Sequence, residues 1–375
     1  MQIPLIRSDP LEPLPIDSGH YVVAIQNKPG ELDALRHASD GAWERMTPLV
    51  HIVGNKNRSR DLKPNTVSEW VKKVAGAVGF HPVYLDVMRL TPTRPVHMRR
   101  SDVPVLERIY ECARRRQMRF VPVVWAGRSS DRHVALARDA ALQDGHGLAL
   151  RVRILEVVPS VQLKWGGYLA PRVDDIVRAG IDVDLLIDLE YLKPDFELSA
   201  ADLAPMLQDL IEAGPWRAVV LLGTSVPATM GSIREGTMGS LPRREWQLWL
   251  ELGKCDLQRT PCFGDYAVQH PHPPQEGGGP GMRANIRYTC HGSTLIARGT
   301  GWVAQEGNAQ YALLCKQLVD SGDFAGATYS WGDSLIDQCS RGVMEPGAQD
   351  MWRGAGTSHH IEFVTNQLRQ RLIER

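Results

Sequence analysis

The sequence predicts a (β/α)8 barrel, an α/β fold of the TIM-barrel type. Three observations carry that prediction. Predicted strand and helix alternate about eight times between residues 20 and 269. Each unit takes roughly 30 to 40 residues, the spacing such a barrel requires. The strands are continuous Val/Ile/Leu runs, as expected where helices cover a parallel sheet. An open doubly wound sheet is the rival. No G-x-G-x-x-G follows the first strand, which counts against its dinucleotide-binding form.

The elements follow in order. "HYVVAIQ" (20–26) is a β-branched strand and "GELDALRHAS" (30–39) its helix. "TPLVHIVG" (47–54) precedes "TVSEWVKKVAGAVG" (66–79), and "PVYLDVMRL" (82–90) precedes "VPVLERIYECARRRQ" (103–117). "RFVPVVWAG" (119–127) leads to "SDRHVALARDAALQDG" (130–145). "GLALRVRIL" (147–155) leads through a loop to "RVDDIVRAG" (172–180). "DVDLLIDLEYL" (182–192) precedes "SAADLAPMLQDLIEAG" (199–214), and "WRAVVLLGTSVP" (216–227) precedes "RREWQLWLELG" (243–253). "PCFGDYAVQ" (261–269) is the eighth and weakest strand.

On either side the rhythm changes. Residues 1–19 carry four prolines and read as an extended leader. "HPHPPQEGGGPG" (270–281) is a Pro/Gly loop. "ANIRYTCHGSTLIARGTGW" (284–302) reads as a hairpin turning near His291-Gly292, and "AQYALLCKQLVDSG" (309–322) as a helix. The predicted organisation is a leader (1–19), a barrel (20–269) and an extension (270–375) packed on the barrel mouth.

Composition narrows the function classes. Of 375 residues, 43% are hydrophobic and 23% charged, ordinary for a globular chain. Lys plus Arg (43) equals Asp plus Glu (43), so no global field favours nucleic acid or an anionic membrane. The cysteines (112, 255, 262, 290, 315 and 339) form no C-x-x-C pair, which argues against a thiolate zinc cage. Neither a secretory signal nor a run of about 20 apolar residues is present, so the expected setting is cytoplasmic, without membrane contact.

In a barrel the strand C-termini and following loops form the site. That rule selects Lys28 and Glu31 after strand one, His51, Asp86 and Arg89, Trp125, Arg151 and Arg153, Asp188 and Glu190, Gly223-Thr224-Ser225, and Asp265 and Tyr266. Asp86, Asp188 and Asp265 with Glu190 would suit a hard cation such as Mg2+ or Mn2+. Lys28, Arg89 and Arg151 would neutralise phosphate or carboxylate, and the turn at Thr224 resembles a backbone-amide phosphate site. The competing expectation is that these acids are buried and paired with arginines for packing.

The basic stretch 94–119 includes Arg114, Arg115 and Arg116. It reads as a solvated helix end, with contact to nucleic-acid phosphates as the alternative. His270 and His272 read as part of a plain loop rather than as metal ligands.

The tail "MWRGAGTSHHIEFVTNQLRQRL" (351–372) reads as a small-residue turn followed by a helix capped by Thr357 or Ser358. Glu362 falls in its predicted first turn. Adjacent helical residues point about 100° apart, so at most one of His359 and His360 is expected to face the core.

The segments "YVVAIQNKPGELDALRHAS", "MTPLVHI", "GDYA", "IRYT", "GTGW", "QYALLCKQLV", "FAGATYSWGDSLI" and "MWRGAGTSHHIEFVTNQL" together resemble the phage-type beta protein family, from about residue 20 to near the end. The family comprises bacterial and prophage proteins, and its phage member is named for protecting cells from a toxic companion. The resemblance therefore implies an anti-phage defence or toxin–antitoxin-type role with a protein partner from the same operon; it supplies no reaction. Its recurrent positions match Lys28, Gly30, Glu31, Asp265, Arg287, Tyr288, Gly332, Asp333, Trp352, Arg353, His359 and His360. His51 stands where the family pattern suggests an acid, which weakens a Mg2+ site.

Two functions follow as expectations. The first is binding of a partner or ligand at the barrel mouth, with Arg151, Thr224, Arg287, Tyr288, Asp333, Trp352 and Arg353 as contacts. The second is metal-assisted hydrolysis of a phosphoester, nucleotide or nucleic acid. Asp86, Asp188 and Asp265 would then lie near the metal, while a tail folded over the mouth brings His359 or His360 to Lys28, Glu31 and Asp265 as acid/base. The alternative for the tail is that Trp352 and one histidine lock it onto the barrel.

Overall fold

A computed structural model of the chain describes residues 18–54, 64–90, 103–154, 165–195, 199–272, 283–302 and 307–374. Most of the predicted leader lies outside the described residues.

Eight parallel strands close into a barrel: β1 (Tyr21–Gln26), β2 (Met46–His51), β3 (Val83–Asp86), β4 (Phe120–Trp125), β5 (Leu148–Arg153), β6 (Val183–Tyr191), β7 (Ala218–Thr224) and β9 (Cys262–Asp265). The ring closes where Tyr21 pairs with Phe263 and Val220 with Cys262. The helices are α1 (Pro29–Arg36), α2 (Asp40–Trp43), α3 (Pro64–Val78), α4 (Val103–Arg115), α5 (Asp131–Asp144), α6 (Trp165–Arg178), α7 (Ala200–Glu212) and α8 (Arg244–Leu252). Local chemistry sets several of their ends. Ser39 and Ser130 cap α2 and α5, and Ser199 with Asp202 forms a capping box on α7. Gly145, at φ 71, ends α5 in the left-handed region that favours glycine.

Strand side chains alternate between two cores. Val22, Leu49, Tyr84, Val123, Leu186 and Val220 fill the ring. Tyr21, Val50, Leu85, Val124, Leu185 and Val219 face the helix layer. The uniform apolarity of the strands reflects this double burial.

Three features depart from the sequence reading. A short strand, β8 (Met238–Pro242), was not foreseen. It pairs with the hairpin β10 (Arg283–Thr289) and β11 (Ser293–Trp302) in a separate antiparallel sheet ordered β10-β11-β8. Helices α9 (Gln310–Val319) and α10 (Trp331–Ser340) share a core with that sheet.

The second and third departures concern the last helix, α11 (Gln349–Ile373), which begins well before the predicted cap. The small-residue stretch is inside it. Glycine in a helix interior costs about 1 kcal/mol, which is why the stretch reads as a turn. Here the glycines are packing residues. A Cβ on Gly354 would lie 2.5 Å from Gly30 O, and one on Gly356 would lie 2.5 Å from Arg287 O. Conversely, a Cβ on Gly30 would meet Asp350 O at 2.0 Å.

Helix α11 also lies elsewhere than predicted. Its first turn meets the start of α1, where Gly30 N–H donates to Asp350 Oδ2 at 2.8 Å. One side farther along meets the far end of α1, where Glu362 accepts from Ser39 N–H (2.7 Å) and Oγ (2.8 Å). Ile361, Val364 and Leu368 join the core between strands and helices. The tail therefore runs down the outside of the barrel against α1 and β1, as the helix that follows the eighth barrel strand, instead of crossing the mouth. No helix among the described residues is long and apolar enough to cross a membrane.

Candidate functional site

The upper barrel interior holds a buried polar cluster. β5 delivers Arg151, β3 Asp86, β6 Asp188, β2 His51 and β4 Trp125, and Tyr266 follows β9; all are buried. Arg151 Nη1 donates to Asp86 Oδ2 at 2.6 Å. Its Nε and Nη2 both reach Asp188 Oδ2, at 3.1 and 2.7 Å, and Nη2 also donates to Tyr266 OH at 2.5 Å. Tyr266 OH donates to Asp188 at 2.8 Å, and Trp125 Nε1 donates to Asp86 Oδ2 at 2.8 Å. The guanidinium also lies over the Trp125 ring, 4.4 Å from its centroid.

Electrostatics make this cluster a plug. Burial pushes the Asp86 carboxyl up, but His51, Arg151 and the Met88 amide outweigh it and hold the group well below the usual carboxylate range. Burial lowers His51 to about 4, so the imidazole is neutral near pH 7. Removing one member of a buried ion pair typically costs about 3–5 kcal/mol, because the other charge is left uncompensated.

The predicted metal site does not assemble. Asp86 and Asp188 spend their oxygens on Arg151, Trp125, Tyr266 and the amides of Met88 and Glu190. Asp265 faces the other way. Neighbouring strand residues point to opposite sides, so Tyr266 enters the ring while Asp265 joins the helix layer. Among the described residues no group of three His, Cys, Asp or Glu side chains is arranged to hold a metal ion. The residues present therefore do not fit Mg2+ or Mn2+.

Above the plug lies the rim. Arg153 pairs with Glu190, and His272 Nε2 lies 2.9 Å from Glu190 Oε1. Arg89 Nη2 is 3.1 Å from His272 Nδ1, and Arg89 also donates to Pro271 O. Arg128 lies close enough to feel both Arg153 and Glu190. Burial pushes the Glu190 carboxyl up, but His272 and Arg153 prevail and hold it at about 2. Glu190 also adopts φ 53, an uncommon conformation for a residue with a side chain, at the irregularity in β6–β7 pairing. Arg128 was missed by the sequence reading. Its position just beyond β4 was the available signal, and Trp125 was chosen there instead. Thr224, expected at a phosphate-binding turn, is buried; its hydroxyl donates to Gln269 O at 3.3 Å and accepts from Val226 N–H at 3.1 Å.

Both tail histidines are buried, against expectation, because each faces a different structure across the helix. His359 stacks on Tyr288 with centroids 3.7 Å apart. Its Nδ1 is 2.9 Å from Asp333 Oδ2 and its Nε2 2.8 Å from Thr289 O. Tyr288 OH donates to Asp333 Oδ1 at 2.7 Å. Tyr288 and Asp333 are thus buried in the extension and not offered to a ligand.

His360 faces the barrel: its Nε2 is 2.9 Å from Asp265 Oδ2, and Tyr21 OH donates to Asp265 Oδ1 at 2.5 Å. Thr289 Oγ1 lies 2.7 Å from His360 Nδ1. His360 is held toward its neutral form by burial, not by a helix terminus, since it is mid-helix. These contacts tie α11 to the barrel and to the small sheet.

Lys28 and Glu31 lie at the start of α1, with Glu31 buried and close enough to act on the charge of Arg287. Arg287, Trp352 and Arg353 do come together, along one small cavity with Val268, Gln269, Asn285 and Gln349.

The fold defines a (β/α)8-barrel protein whose interior holds a buried ion-pair cluster, with Arg89, Arg153, His272 and Glu190 among the described residues at the strand ends. The chain belongs to the Beta protein family, whose sequence model matches residues 21–366. No curated protein matches it. Among solved structures it is similar to morphinone reductase in complex with tetrahydroNAD, with a TM-score of 0.34 and 11% identity over 65% of this chain and 82% of that one. It is also similar to D-psicose 3-epimerase in the presence of D-fructose, with a TM-score of 0.30 and 10% identity over 66% and 84% of the two chains. The Bacillus cereus spore cortex-lytic enzyme SleL aligns at 0.32 and 8% identity over 91% and 75%.

Proposed function

We propose that this protein acts by binding an anionic group of a partner or ligand at the barrel mouth, within an anti-phage defence or toxin–antitoxin-type module. One observation carries the reading: Arg89, Arg128, Arg153 and His272 gather about Glu190 where the strands end, next to the buried Arg151 cluster. Guanidinium groups suit carboxylate and phosphate because their planar fork donates two parallel hydrogen bonds. Glu190 holds Arg153 and His272 in place before the ligand arrives, so less side-chain freedom is lost on binding. The module itself is suggested by family membership. The partner would be a protein of the same operon, and a nucleotide or nucleic-acid phosphate offers the same recognition chemistry. The metal-assisted hydrolase reading has no support in the acids that motivated it, since Arg151 occupies two of them and the third faces the helix layer.

The test is a protection assay in cells with the Arg128→Gln/Arg153→Gln double variant, after a thermal melt has shown that it folds. Protection should fall at least tenfold, as expected when charge-assisted hydrogen bonds are removed. Full protection by the folded variant would sink the proposal.

A further inference from the structure

We infer that the cavity between β10 and the first turn of α11 is a second, independent site for the terminal oxyanion of a ligand, a carboxylate or a phosphoryl group. The cavity measures about 20 Å³ and is lined by Val268, Gln269, Asn285, Arg287, Gln349, Trp352 and Arg353. That space admits at least one water-sized group, so the tip of a terminal oxyanion can enter it.

The lining is built for negative charge. Arg287 is held rigidly: Nε donates to Asn285 Oδ1 at 3.1 Å, and Nη1 donates to Val268 O (2.5 Å) and Gln269 Oε1 (3.0 Å). Its Nη2 has no hydrogen-bond partner among the described residues. Arg353 lines the same space and is oriented by Asp350, whose Oδ1 accepts from Nη1 at 3.1 Å. Two guanidinium groups therefore share one cavity. Burial first, and then the charge of Arg353, bring Arg287 down to about 10, with Glu31 opposing. An oxyanion between them removes that mutual repulsion and supplies the acceptor that Nη2 lacks.

A second feature points the same way. Gln349 is the first residue of the 25-residue helix α11, whose N-cap, Ala348, makes no side-chain cap. The partial positive charge of that helix start, offset in part by Asp350 in its first turn, adds to the cavity's field. Trp352, stacked on Tyr311 at 5.3 Å, forms a rigid apolar wall.

The experiment is a titration of the full chain with inorganic phosphate and, separately, acetate, followed by calorimetry and thermal melting, with chloride at matched ionic strength as control. Saturable binding of either anion is expected; the one bound more tightly identifies a phosphoryl or a carboxylate source. Measured in the Arg128→Gln/Arg153→Gln background, which removes the rim's share of the binding, Arg353→Gln should weaken the remaining binding roughly tenfold or more. Arg287→Gln should behave like Arg353→Gln if it folds; Arg353→Gln alone keeps the test valid if it does not. Stabilisation by chloride equal to that by phosphate and acetate would overturn the inference. So would undiminished binding on adding Arg353→Gln to that background, or loss of all anion binding in the Arg128→Gln/Arg153→Gln variant itself, which would point to the rim alone.

Discussion

At the residue scale, a side chain's role here is set by what lies across from it. Arg151 was a candidate ligand contact and is a structural counter-ion. His51 was a candidate ligand replacement and is a buried neutral ring. That burial has a pH signature. The folded-state value of His51 is about 4 against an ordinary 6.5, and His133 is likewise lowered to about 4 by burial. A histidine depressed on folding binds its proton more readily in the unfolded chain. Stability is therefore full above about pH 6.5 and lost as pH falls toward 4. Each ring contributes up to about 3 kcal/mol, since one pKa unit is about 1.4 kcal/mol. Glu245 works in the opposite sense: burial raises it to about 7, so its contribution is lost as pH rises from its ordinary value. Urea unfolding of wild type and His51→Gln at pH 7 and 4.5 isolates the histidine. The loss on acidification should be smaller in the variant by about 2–3 kcal/mol. Equal losses would show that His51 is not neutral in the folded protein.

At the element scale, α11 shows how helix propensity and packing compete. Gly354 and Gly356 argue against a helix locally, and the close crossing with α1 and β10 overrides them. Two substitutions of the same chemistry should then differ in sign. Gly76 in α3 has nothing within 4 Å of a new Cβ, so Gly76→Ala should stabilise by about 0.5–1 kcal/mol. Gly354→Ala places its Cβ against the backbone of Gly30, and should destabilise by about 1–3 kcal/mol despite the better propensity. Chemical denaturation of both variants checks this; stabilisation by both would mean that the crossing is looser than it stands here.

At the scale of the whole molecule, the barrel is completed by residues far from its strands. The predicted boundary at 269 separates the strands from the helix that covers β1. A chain ending at residue 269 lacks Ile361, Val364 and Leu368, leaving the outer face around Tyr21 and Leu35 without its cover. It also leaves Asp265 without His360. Such a chain should lose cooperative thermal unfolding, as followed by circular dichroism. A sharp transition near that of the full chain would show that the barrel stands without α11.

Much of the architecture was legible in the amino-acid order. Apolar runs of strand length alternating with amphipathic helices predict the ring, because period and burial are local properties. The strand-end rule brought Arg89, Arg153 and Glu190 forward, and all three are at the rim. It could not say which neighbours point inward, so Asp265 was placed with Asp86 and Asp188 although a one-residue difference in strand phase puts it on the other face. Nor could it show that Arg151 would neutralise the two acids left inside, since ion pairing depends on distances between strands far apart in the chain. The path of the tail had the same character. Its glycines are explained only by the backbones they touch, and its histidines only by Asp333 and Asp265 across the helix. The sequence by itself determined which segments become strand and helix; tertiary contact decided which charges cancel, because Coulombic and hydrogen-bond energies depend on spatial separation and desolvation, not on position along the chain.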